Sequence, residues 1–60
     1  MTGDAVRVLQ EALIGLGYNP GGADGIFGPA TDRALRDFQI NAGLPADGVV
    51  NEDTARALGM

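Results

Sequence analysis

A thirteen-residue pattern occurs twice in this chain. Ala23–Leu35 aligns without gaps on Ala46–Leu58: Ala, Asp, Gly, Thr, Arg, Ala and Leu recur in place, with Ile26/Val49 and Phe27/Val50 as apolar pairs. Two copies are too few for a solenoid, which needs three or more units and caps. What recurs is a device: an Asp-Gly turn, a short extended apolar pair, then a helix start with Thr in its first turn. Asp tolerates turn conformations and bonds N–H groups two residues on, while Gly takes the positive φ that such a turn often requires. Ile26-Phe27 and Val49-Val50 suit the anchoring of loops, and their composition allows them to pair as minimal strands.

Helical periodicity fills the rest. Val6, Leu9, Leu13 and Leu16 share one side of a helix over about 4–16, with Asp4 as N-cap and Gly17 ending it before the turn Tyr18-Asn19-Pro20-Gly21-Gly22. A second helix is expected over about 29–42, opened by Pro29, facing inward with Thr31, Ala34, Leu35, Phe38 and Ala42, and stopped by Gly43 and Pro45. A third, over 52–58, takes Asn51 as N-cap and places Glu52 and Asp53 where the macrodipole favours them. Thr54 and Leu58 face its core side. Val8 and Ile40 fall off these stripes, so each is covered by a loop or exposed.

A chain of 60 residues is one domain with one small core. It contains no Cys, His, Lys, Ser or Trp, which removes Ser and Cys nucleophiles, an imidazole base, a Schiff-base lysine and a Cys/His metal set. A carrier protein is excluded as well, since a phosphopantetheine arm needs a serine. The chain alone is therefore expected to be no enzyme, with no cofactor and no metal. Eight Asp/Glu against four scattered arginines argue against nucleic acid. No apolar stretch is long enough for membrane insertion, and the N-terminal Met1-Thr2-Gly3-Asp4 lacks the regions of a signal peptide.

Asp24 and Asp47 each precede a glycine, as in a calcium loop, but the spacing refuses it. With Gly25 or Gly48 in the sixth position, the final ligand would be Thr31 or Thr54 and earlier ligands would be Pro or Gly. Turn formation is the reading for both. Thr31 and Thr54 are expected to bond the Asp or backbone of their own turns, and Gln10 and Gln39, beside core residues Leu9 and Phe38, to satisfy loop backbone groups. Arg33 and Arg36 can offer a fork to a carboxylate ligand, or pair with Asp37 and Asp32 on a solvated helix face.

Together these residues resemble a known family. D-G-x-F-G-x-x-T from Asp24 to Thr31, F-Q-x-x-x-G-L from Phe38 to Leu44, and D-G-V from Asp47 to Val49 with Thr54 and Leu58 downstream are similar to the peptidoglycan-binding-like domain, over nearly the whole chain. The resemblance implies an all-α, compact three-helix bundle with a loop–helix repeat. It implies attachment to cell-wall hydrolases such as amidases, muramidases, carboxypeptidases and phage endolysins, or to L,D-transpeptidases. A similar fold occurs in matrix metalloprotease propeptides, whose switch cysteine has no counterpart here.

The expectation is thus a non-catalytic, monomeric targeting module in the cell wall, periplasm or extracellular space. Its partners would be bacterial peptidoglycan, through the stem-peptide region, and an attached catalytic domain. The alternative is an intramolecular docking or regulatory domain of a parent enzyme. Ligand-binding candidates are Tyr18, Asp24, Gly25, Phe27, Gly28, Thr31, Arg33 and Gln39, centred on the Asp24–Gly28 loop and the start of the second helix, with Tyr18 or Phe27 as an apolar face. The absence of Trp favours peptide over broad stacking on glycan rings.

Overall fold

The computed structural model describes residues 3–60; residues 1 and 2, part of the N-terminal stretch considered above, lie outside it. Three helices form, α1 (Asp4–Gly15), α2 (Pro29–Asn41) and α3 (Glu52–Leu58), and the fold is the expected all-α bundle. Helix α1 packs against both others. Leu13 and Leu35, both wholly buried, anchor a core completed by Leu9, Ala34, Phe38 and Leu58. Tyr18 closes it from the side, its ring meeting Phe38 edge-on at 5.7 Å and 88°, an arrangement worth about 0.5–1.5 kcal/mol beyond the area it covers.

The helix ends depart from the periodic reading, for one shared reason. Helix α1 stops at Gly15, and the N–H groups of Gly17 and Tyr18 turn back onto the carbonyls of Ile14 (3.0 Å) and Leu13 (2.8 Å). This six-to-one closure swings Tyr18 onto the core and leaves Leu16 half exposed. At the end of α2, the N–H groups of Gly43 and Leu44 bond Ile40 O (3.1 Å) and Gln39 O (2.8 Å), so Ala42 lies exposed outside the core and Leu44 is half-buried. Gly59 and Met60 repeat the pattern after α3 on the carbonyls of Arg56 and Ala55.

The start of α1 also differs from expectation. Its N-cap is Gly3, without a side-chain hydrogen bond, and Asp4 lies inside the first turn, where it pairs with Arg7 at 3.5 Å. Asn51 does cap α3, accepting from the Thr54 N–H at 2.9 Å. Val8 and Ile40 are exposed.

Among the described residues the two apolar pairs do not join as strands. Ile26 makes an isolated bridge, and Gly25 O accepts from the Gly3 N–H at 2.9 Å, so the first loop is tied to the start of α1 and not to the second loop. Val49 and Val50 remain outside any strand.

Truncating Leu35 to Ala should cost about 2–4 kcal/mol. That is a large part of the roughly 3–9 kcal/mol available to a domain of this length. Urea unfolding followed by circular dichroism measures it; a loss below about 1 kcal/mol would mean that the core does not converge on this side chain.

Candidate functional site

Each Asp-Gly loop is held by one buried glutamine from the helix that precedes it. Gln10 Nε2 donates to Asp24 Oδ1, Ile26 O and Thr31 Oγ1, each at 3.0 Å, while Gln10 Oε1 accepts the Gly25 N–H at 2.9 Å. Gln39 repeats the set in the second unit, reaching Asp47 Oδ1 (3.2 Å), Val49 O (2.9 Å), Thr54 Oγ1 (3.4 Å) and the Gly48 N–H (3.0 Å). Both amides are essentially inaccessible. Among the described residues no buried side-chain nitrogen or oxygen lacks a partner.

The aspartates complete the turns. Asp24 Oδ1 accepts the Ile26 N–H at 3.0 Å, and Asp47 Oδ1 the Val49 N–H at 2.9 Å. The Ile26 N–H foremost, and then the Gln10 amide, hold the Asp24 carboxyl below its ordinary 3.8. For Asp47 the Val49 N–H lowers the value against the opposing effect of desolvation, helped by Gln39 and the Arg36 guanidinium. Arg36 also fastens the second loop, bonding Asp32 on its own helix at 3.1 Å and Ala46 O at 3.1 Å. Gly48, at φ +71°, turns beneath it: a Cβ there would lie 2.5 Å from Asp32 Oδ1.

The expected ligand residues divide into separate places. Thr31 and Gln39 are 1% exposed and engaged with the loops; Thr31 Oγ1 also donates to Pro20 O at 3.1 Å. Gln39 serves the second loop, not the one that carries Asp24, Gly25 and Gly28. Tyr18 and Arg33 share a groove of about 470 Å³, with Asn19, Pro29, Ala30 and Asp37 along its walls. Phe27 does not join them. It lines a second, more apolar depression of about 440 Å³ with Val6, Leu9, Val49, Val50 and Met60.

Arg33 and Asp37 form no ion pair with each other, whereas Asp32 and Arg36 do. Tyr18 is fixed from outside by Asn41, whose Nδ2 donates to its Oη at 2.8 Å. The sequence pattern marks Tyr18 as a turn residue; its service as both core lid and groove wall depends on the closure after α1. Asp37 was legible only as a partner for Arg33. No group of three or more His, Cys, Asp or Glu able to hold a metal gathers among the described residues. The groove brings together a guanidinium, a carboxylate and an aromatic wall.

A family profile described as "Putative peptidoglycan binding domain" matches residues 2–58. The chain is 42% identical over 64 residues to N-acetylmuramoyl-L-alanine amidase CwlL of Bacillus licheniformis, covering 97% of this chain and 18% of that protein. It is 45% identical over 56 residues to N-acetylmuramoyl-L-alanine amidase CwlM of Mycobacterium tuberculosis, covering 93% and 14%. It is 42% identical over 57 residues to a spore cortex-lytic enzyme of Bacillus cereus, covering 95% and 22%. The chain thus spans less than a quarter of the length of these relatives. No solved structure matches it significantly.

Two expectations follow from the glutamine-held loops. Gln10→Glu removes the donating nitrogen and turns a carboxylate toward Asp24, so at pH 7 it should destabilise by about 2–4 kcal/mol. An isothermal urea midpoint unchanged from wild type would refute the role given to this amide. The second concerns acid. A carboxyl held below its ordinary value in the folded state stabilises fully above that value, and this contribution is lost as pH falls through the folded value. The wild-type midpoint should therefore decline below about pH 4. Asp24→Asn keeps an acceptor oxygen without the charge, so it should start lower at neutral pH and decline less; equal slopes for the two proteins would contradict this.

Proposed function

The chain belongs to the peptidoglycan binding domain family, and from that premise we propose that it is a non-catalytic module. It holds an attached cell-wall hydrolase or transpeptidase on bacterial peptidoglycan through the stem-peptide region. The observation that carries this reading is the groove in which Arg33, free of ion pairs among the described residues, stands beside the Tyr18 ring. A guanidinium fork matches a peptide carboxylate, and the ring offers an apolar wall. The first turn of α2 follows Gly28, an N-cap without a side-chain hydrogen bond, and its N–H groups favour the same anion.

In this reading Tyr18 and Arg33 touch the ligand, whereas no residue of the Asp24–Gly28 loop lines the groove. Thr31 and Gln39 act from the interior by fixing the loops. The relatives' names, amidases and a spore cortex-lytic enzyme, and the small share of each that this chain matches support an appended wall-targeting role in the cell wall or extracellular space. A net charge of −4 gives no attraction to a carboxylate-rich wall. Affinity as a monomer is then weak, and the attached domain gains through effective concentration.

A second reading, docking against the parent's own catalytic domain, is favoured by the apolar depression around Phe27 and Val49. Deleting the module from a parent enzyme separates the two: loss of wall retention supports the first, and altered activity on a soluble substrate supports the second.

The folded chain should co-sediment with purified insoluble sacculi and be displaced by excess soluble stem peptide but not by glycan oligomers. Failure to sediment with sacculi of several wall types, with the domain shown folded, sinks the proposal.

A further inference from the structure

Three of the four arginines are paired on their own helices: Arg7 with Asp4 at 3.5 Å, Arg36 with Asp32 at 3.1 Å, Arg56 with Asp53 at 3.8 Å. Among the described residues Arg33 and Asp37 make no such pair, although they stand four residues apart on α2 and line one groove. The order of the charges accounts for the contrast. Acid before base at this spacing is favoured on a helix, as in Asp32 and Arg36, and the reverse order is weaker. The groove therefore presents two open charges of opposite sign, with Cβ atoms roughly 5–6 Å apart. Tyr18 and Pro29 supply its less polar walls.

We infer that this groove takes a zwitterionic peptide element, its carboxylate on the Arg33 fork and its ammonium on Asp37, an inference that rests on the stem-peptide reading above. A purely anionic ligand meets repulsion from Asp37, and a purely cationic one meets it from Arg33. A neutral glycan satisfies neither charge. A volume of about 470 Å³ suits a ligand of one or two residues. Because the two side chains have no ion pair to give up, the ligand displaces only water from them. An uncrosslinked stem peptide has the required chemistry: it ends in a carboxylate and keeps the free amine that cross-linking would consume. The module accordingly distinguishes uncrosslinked from crosslinked wall.

The experiment compares co-sedimentation with sacculi before and after acetylation of their free amines, for the wild-type chain, Arg33→Gln, Asp37→Asn and Asp37→Glu. Acetylation should lower wild-type retention by about two- to fivefold. Arg33→Gln and Asp37→Asn should bind native sacculi weakly, Asp37→Asn should no longer distinguish the two preparations, and Asp37→Glu should restore the distinction. Thermal midpoints near that of wild type establish that the variants are folded, and the wild-type comparison stands without them. Equal wild-type retention on native and acetylated sacculi overturns the zwitterion assignment while leaving wall binding intact. Acetylation sensitivity that persists in Asp37→Asn overturns the role of Asp37. Wild-type failure to sediment with native sacculi overturns the stem-peptide reading itself.

Discussion

A single side-chain amide, used in two places, is the constraint on which the remaining structure depends. Gln10 and Gln39 each join three parts of the chain: the helix they belong to, the Asp-Gly turn, and the first turn of the next helix through Thr31 or Thr54. The joined residues lie 8–21 positions away in sequence, so each amide closes a loop that a disulfide or zinc site closes in other small domains. An amide suits the place because it is neutral, carries donor and acceptor together, and can be buried without desolvating a charge. Each bond adds little net stability. Leaving any buried partner unmet would cost more, so the amides fix one arrangement of the loops over all others.

The two units are alike in their bonds and unlike in their connections. From glutamine to aspartate the chain runs 14 residues in the first unit and 8 in the second. The longer path includes Tyr18 and Asn19, which form one wall of the charged groove, and Pro20, which gives Thr31 its carbonyl acceptor. The second unit lacks that insertion. In its place Arg36 holds the loop directly at Ala46 O, and the surface nearby is apolar. The charged groove thus arises where the repeat is broken.

Much of this was legible in the residues. The repeat exposed the turn-and-helix device, periodicity placed Leu9, Leu13, Leu35, Phe38 and Leu58 inside, and the positions of Gln10 and Gln39 beside core residues pointed to loop support. Periodicity erred at Leu16 and Ala42 because it carries a helix face forward past the point where the backbone closes; after the first closure Tyr18 packs on the core instead. Whether the two apolar pairs join as strands stayed open in the sequence, because short apolar pairs look alike whether they meet each other or, as at Gly25, lie against a different segment. The separation of Tyr18 from Phe27 was not readable, since both are aromatic residues flanking one loop and only the packing sends them to different grooves.

Helix α2 receives the first glutamine at Thr31 and supplies the second at Gln39. The units therefore overlap instead of standing in tandem, and no cut through the chain yields an intact half: severing before α2 removes what the first loop leans on, and severing after it leaves Gln39 buried beside nothing. A duplicated sequence has here become an indivisible object, whose middle helix is the one member that both halves must share.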